Sequence, residues 1–146
     1  MAEFIPTFVR NYLYMQKNIL TIAGISGALC VALGAMCAHT LKNKIPVENL
    51  VTFETAVKYQ FYHTLALILV VILSDKIRSK FMSYVPALFI AGTILFSFSL
   101  YFLALRPMMG ISNDEMKWIG AITPFGGLSF ISGWLLLSFS TLRELK

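Results

Sequence analysis

The second of four apolar runs in this chain is half polar, and that run does most to limit what the chain can fold into. Its clean hydrocarbon covers only residues 65–73. Residues 53–64 lie just before it and hold Glu54, Lys58, Tyr59, Gln60, Tyr62 and His63. The other three runs, 19–38, 85–105 and 119–142, are long enough to stand alone, because roughly 20 apolar residues in an α-helix cross a ~30 Å hydrocarbon layer. The second run spans only if its polar half also enters the membrane and faces protein. The expectation is therefore an all-α integral membrane protein, with four transmembrane helices in an antiparallel bundle.

Composition leaves little else. Of 146 residues, 58 % are hydrophobic and 13 % charged, about half the charged share of soluble domains. The four spans and their connections use nearly the whole chain, so one membrane domain is expected, 18–146, behind an N-terminal arm, 1–17. Net charge is +5, but no basic run interleaves with aromatics, and no nucleic-acid partner is expected. The cations read better as topology, since Lys and Arg mark the cytoplasmic side of spans. Arg10, Lys17, Lys76, Arg78, Lys80, Arg143 and Lys146 fall on one side, and Lys42, Lys44, Lys58, Arg106 and Lys117 on the other. Seven against five puts both termini inside, in a bacterial inner membrane.

Local signals place the helices. Phe4, Phe8, Tyr12 and Met15 follow a helical spacing in the arm, which suits a short interfacial helix. The apolar run at 19–38 is too long for a cleaved signal core and reads as a retained span, capped by Asn18. Gly24, Gly27, Ala28, Val31, Gly34 and Ala35 give it a narrow side, the main packing device in lipid, so the first span is expected at the centre. Cys30 and Cys37 lie ~10 Å apart along one helix, too far for a bridge, and read as small packing residues. Pro46 and Glu48 open a second helix without a breaker before Ser74-Asp75, ~29 residues or ~43 Å long. Pro86 sits in the first turns of the third helix, Ser97 and Tyr101 share one face, and Arg106-Pro107 ends it. Ser112 and Glu115 have capping-box spacing before the fourth. There Thr123-Pro124-Phe125-Gly126-Gly127 interrupts the apolar run, and Pro124 should kink the helix by taking the partner of the Gly120 carbonyl.

Chemistry has one place to live. Measured from the inner ends of the first two helices, His39 and Glu54 both lie ~28 Å along and His63 ~15 Å. Two histidines in a four-helix bundle raise the idea of bis-histidine haem, but ~13 Å of depth separates them. Two histidines without thiols in register make a poor metal site as well. His39 and Glu54 are instead expected to meet near the outer interface. Lys58, Tyr59, Tyr62 and His63 then continue a polar seam between the first two helices. Charged groups at membrane depth face the bundle or water and find partners. The seam reads first as a self-satisfying network that fixes helix register. The alternative is a polar cavity for a small molecule, lipid, quinone or proton. No nucleophile elbow or phosphate loop is present, and neither catalysis nor a cofactor or metal is expected.

Several segments together carry a resemblance. They are Gly34-Ala35-Met36-Cys37-Ala38-His39, Thr52-Phe53-Glu54-Thr55-Ala56-Val57-Lys58-Tyr59-Gln60, Tyr62-His63-Thr64-Leu65-Ala66-Leu67, Phe96-Ser97-Phe98-Ser99-Leu100-Tyr101, and Thr123-Pro124-Phe125-Gly126-Gly127 with Gly133-Trp134. Over residues 18–143 the chain resembles the small membrane proteins grouped as domain of unknown function 423, related to the transmembrane protein 256 group. Met36-Cys37 stands where the family usually reads Phe-Gly, and Phe98 where it usually has glycine. The resemblance implies a four-span inner-membrane or organellar protein and brings no biochemical activity with it. The functional expectation is a non-catalytic membrane protein, an accessory subunit or membrane-homeostasis factor. Its partners would be lipids and a homo-oligomer or larger membrane complex. Gly27, Gly34, Thr123, Pro124, Gly126 and Gly127 are the expected packing and kink positions.

Overall fold

The computed structural model describes residues 7–77, 79–112, 115 and 117–144, with side chains from Tyr12 to Arg143 within those ranges. Phe4, Phe8, Arg10, Arg78 and Lys146 lie outside the described side chains. The described residues are helical throughout. Helix α1 is Thr7–Met36, prolonged by a π turn at Cys37–Leu41. Helix α2 is Val47–Ser74. The third span opens with a 3₁₀ turn, Met82–Tyr84, and continues as α3, Val85–Gly92, a π segment, Thr93–Phe98, and α4, Ser99–Leu105. A second 3₁₀ turn, Arg106–Met109, ends at Gly110, whose φ of 67° suits glycine. Helix α5, Lys117–Glu144, forms the fourth span. All four spans are long and apolar enough to cross a membrane.

The second span is the central one. Of its apolar stretch 44 % is buried by the rest of the chain, against 17 % of the first span's. This corrects the expectation that small residues would put α1 at the centre. Ile19, Ala23, Cys30, Cys37 and Leu41 are buried at near-heptad spacing, with Gly27 and Gly34 between them. That narrow face meets α2 alone. A methyl on Gly27 would make ordinary contact with Thr64 at 3.7 Å, and one on Gly34 with Val57 at 3.8 Å. Gly24 faces open space. Nor does Asn18 cap a helix: α1 runs unbroken from Thr7 through Met36, because no residue in that stretch interrupts its backbone bonds.

The closest packing joins the third and fourth spans. A methyl added to Gly126 would fall onto the Leu95–Phe96 backbone, one on Gly92 onto the Phe130 ring, and one on Gly133 onto the Phe89 ring. Glycine at these sites lets backbone and ring approach, as helix packing in lipid requires. Pro124 lies inside α5, within one turn of Gly126. The interruption thus sits beside protein, where freed backbone groups can be tolerated. Opposite it the third span loosens into the π segment. The Ser99 hydroxyl donates to the Phe96 carbonyl at 2.8 Å, and the Thr123 hydroxyl lies 2.7 Å from Ser99 Oγ. With the Ser99 proton already given, Thr123 is the donor of that pair.

The ends are tied by side chains. Asn49 donates to the Leu103 and Ala104 carbonyls at 3.3 and 3.2 Å, satisfying acceptors in the last turn of α4. Ahead of α5, the Glu115 carboxylate accepts from the Ser112 backbone N–H at 2.8 Å and from the Ser112 hydroxyl at 2.9 Å.

Candidate functional site

Two polar centres are buried along α2. The first is built on Gln60, 2 % exposed in the middle of the bundle. Its Nε2 donates to Ser26 Oγ at 3.2 Å and to the Ser26 carbonyl at 3.3 Å. Its Oε1 accepts from the Tyr101 hydroxyl at 2.8 Å. Thr64 donates to the Gln60 carbonyl at 2.8 Å and sits 2.7 Å from Ser26 Oγ, so Ser26 donates to Thr64. Every hydroxyl and amide hydrogen in this set has an acceptor. The network joins the first three spans, and the Tyr101 ring packs on Phe53 at 4.8 Å.

The second centre is His63. Its Nδ1 lies 2.8 Å from the Tyr59 carbonyl, and the Trp134 indole lies 3.2 Å from its Nε2. A carbonyl only accepts and an indole N–H only donates, so the ring is neutral with its proton on Nδ1. Phe130 stacks on the imidazole with centroids 3.4 Å apart and planes 10° apart, and Phe89 leans on it at 5.3 Å. Gly92 makes room for the Phe130 ring and Gly133 for the Phe89 ring. The glycines of the third and fourth spans therefore shape the aromatic enclosure of a histidine on the second. Both imidazole nitrogens are engaged, which leaves neither to ligate a metal. Among the described residues no three His, Cys, Asp or Glu side chains gather as a metal site.

The six residues expected to form one seam do not gather. His39 is exposed in the π turn that ends the first span, and no hydrogen bond or ion pair joins it to Glu54 among the described residues. Glu54 pairs along its own helix with Lys58, Oε2 to Nζ 3.7 Å, both largely uncovered by the chain. Tyr62 is uncovered too. The Tyr59 ring lies on Phe96 at 4.6 Å and only its carbonyl serves His63. The expected seam merges two stripes of α2: residues 54, 58 and 62 point away from the bundle, while 53, 56, 60, 63 and 64 point into it. The groove beside Glu54 and Lys58 is a shallow 140 Å³ bounded by Gly34, Cys37, Ala38 and Val57. Ser97, fully buried, has the only unpartnered side-chain polar atom among the described buried groups.

Sequence reasoning misses Gln60 as the hub and Trp134 as the partner of His63. A signal for Gln60 is available: it is an uncharged amide among charged and phenolic neighbours, and an amide can be fully satisfied without a counter-ion.

Comparisons with known proteins fit this architecture. Residues 33–127 match the family model described as Protein of unknown function (DUF423). The chain is 38 % identical over 132 residues to the UPF0382 membrane protein YwdK of Bacillus subtilis, covering 89 % of this chain and all of that one. It is 36 % identical over 130 residues to a UPF0382 membrane protein of Haemophilus influenzae, covering 89 % and 98 %. It is 38 % identical over 130 residues to the UPF0382 inner membrane protein YgdD of Escherichia coli, covering 88 % and 92 %. No solved structure matches. With four apolar spans and a match that runs from the first of them into the fourth, the chain belongs to the DUF423 family of membrane proteins.

Proposed function

We propose that this chain is a non-catalytic integral membrane protein of the bacterial inner membrane, an accessory subunit or membrane-homeostasis factor. The observation that carries the reading is the closure of its polar core. Gln60, Ser26, Thr64 and Tyr101 spend their hydrogen bonds on one another, and His63 spends both nitrogens on Trp134 and Tyr59. Groups committed in this way set helix register and are poorly placed to bind or relay anything. Thr123, Pro124, Gly126 and Gly127 serve the same end by letting the fourth span meet the third, and Gly27 and Gly34 by letting the first meet the second.

Residues 7–17 continue α1 toward the interface as an arm, and both termini lie in the cytoplasm, in keeping with the seven-to-five distribution of Lys and Arg. Contact with lipid is inherent in a chain with so much apolar surface. A further protein partner, a second copy or a larger complex, is supported by Glu54, Lys58 and Tyr62, a charged and polar stripe left uncovered near the outer end of α2.

The experiment is to compare stability with phenotype. His63→Ala and Gln60→Ala should lower membrane abundance and detergent-solubilised Tm in step with any loss of the deletion phenotype's rescue. A variant with wild-type abundance and Tm that no longer rescues would assign these residues a direct chemical role and overturn the proposal.

A further inference from the structure

The first span leans on α2, and at its Tyr12 end it stands apart from the third. Between them lies a crevice of about 690 Å³, closed below by the connection from α2 to the third span. That volume is within the ~300–1,000 Å³ of sites that take small molecules. Its lining is sorted by depth. Tyr12, Gln16, Asp75, Ser79 and Lys80 line the end at the membrane edge. Ile19, Val70 and Pro86 line the walls deeper in, ~7–10 Å toward the midplane at 1.5 Å per residue. A polar rim over an apolar throat, along the direction of the bilayer normal, is the form of a phospholipid site.

The rim charges narrow the headgroup. Asp75 Oδ1 accepts from the Tyr12 hydroxyl at 2.9 Å and from Gln16 Nε2 at 3.1 Å, so the carboxylate is held in place. Its Oδ2 takes no hydrogen bond among the described residues. The Lys80 ammonium lies 5.3 Å from the Phe81 ring and forms no ion pair among the described residues. One fixed anion and one cation on the same rim complement a zwitterion. A phosphate diester suits Lys80, and an ammonium with N–H donors suits Asp75. A choline headgroup has no N–H for the carboxylate, and a glycerol headgroup has no cation for it.

We propose that this crevice binds one aminophospholipid of the phosphatidylethanolamine type. Its ammonium meets Asp75, its phosphate meets Lys80, and an acyl chain runs past Ile19, Val70 and Pro86. The site lies at the opposite end of the bundle from Glu54 and His39, and it goes beyond the scaffold reading without resting on it.

The test is native mass spectrometry of the intact protein in detergent. The micelles carry equimolar phosphatidylethanolamine, phosphatidylcholine and phosphatidylglycerol of identical acyl chains. The expected result is retention of the ethanolamine lipid over the choline lipid by about tenfold, the size of one charge-assisted hydrogen bond. Asp75→Asn should reduce that ratio to near one, while Asp75→Glu should preserve it. Lys80→Met should lower retention of the ethanolamine and choline lipids alike. Equal retention of all three lipids by the wild type, preference for phosphatidylglycerol, or a ratio indifferent to Asp75→Asn each overturns the proposal. Should Asp75→Asn not fold, the Asp75→Glu ratio and the Lys80→Met losses decide in its place.

Discussion

Two stripes of the same helix treat polar groups in opposite ways. On the inward stripe of α2, Gln60, His63 and Thr64 are buried, uncharged and bonded by atoms of the other three spans or of α2 itself. On the outward stripe Glu54 and Lys58 carry full charges and have only each other, at 3.7 Å. The difference follows from desolvation. An amide or neutral imidazole can recover inside a bundle nearly all the hydrogen bonds it had in water. A buried ion seldom does, and even a buried pair is costly. Placing the ions outward near the helix's outer end keeps them within reach of headgroups or of a partner.

The steepest way to test this contrast is to pry the bundle off its inward stripe. Gly126→Val would set a branched side chain on the Leu95–Phe96 backbone. It should cost on the order of 3 kcal/mol or more, as overpacking without room does, and read out as loss of the monodisperse peak in detergent chromatography. Gln60→Ala removes the hub and strands the buried Tyr101 hydroxyl, for about 2 kcal/mol in thermal unfolding. His63→Phe keeps ring packing on Phe130 but leaves the Trp134 N–H without an acceptor, for about 1 kcal/mol, with a shift in Trp fluorescence. Glu54→Gln with Lys58→Met should change monomer stability by only about 0.3–0.5 kcal/mol, the size of an exposed helical ion pair. If that double variant costs as much as Gln60→Ala, the contrast between the stripes is false.

The smallest effect belongs to a charge outside the membrane. Hydrogen bonds from the Ser112 N–H and hydroxyl hold the Glu115 carboxyl below its ordinary value. The bonds favour the ionised form, so their gain is complete above the unfolded-state value and is lost as pH falls through the lower folded one. Glu115→Gln should flatten the acid limb of a Tm-against-pH curve slightly and leave the neutral plateau nearly unchanged.

Much of the fold was legible in residue order. Run length fixed four spans, and Pro46, Arg106-Pro107 and Gly110 marked where helices begin and end. Pro124 with Gly126 marked where two spans approach. The face of α2 was not legible, for a physical reason. In water a helix buries its apolar side, and periodicity reveals it. In lipid both sides are apolar, and polar residues at 54, 58, 60, 62 and 63 spread around most of a turn. Counting rise per residue gave depths, which set His39 level with Glu54, but depth says nothing about azimuth. The centrality of α1 failed in the same way, because small residues on two of its sides could not reveal that only one has a neighbour. The cage around His63 depends on ring placements from two other spans, which no local spacing encodes.

The π segment at Thr93–Phe98 has a consequence for chain length. A turn closed by i→i+5 bonds holds about one residue more than an α turn. Deleting one residue there would let the third span relax into regular α-helix, yet would rotate all that follows by about 100°. Tyr101 would swing away from Gln60, and Ser99 from Thr123. Homologues that retain both pairings should therefore keep the number of residues between Gly92 and Tyr101 unchanged, while tolerating insertions in the connections on either side.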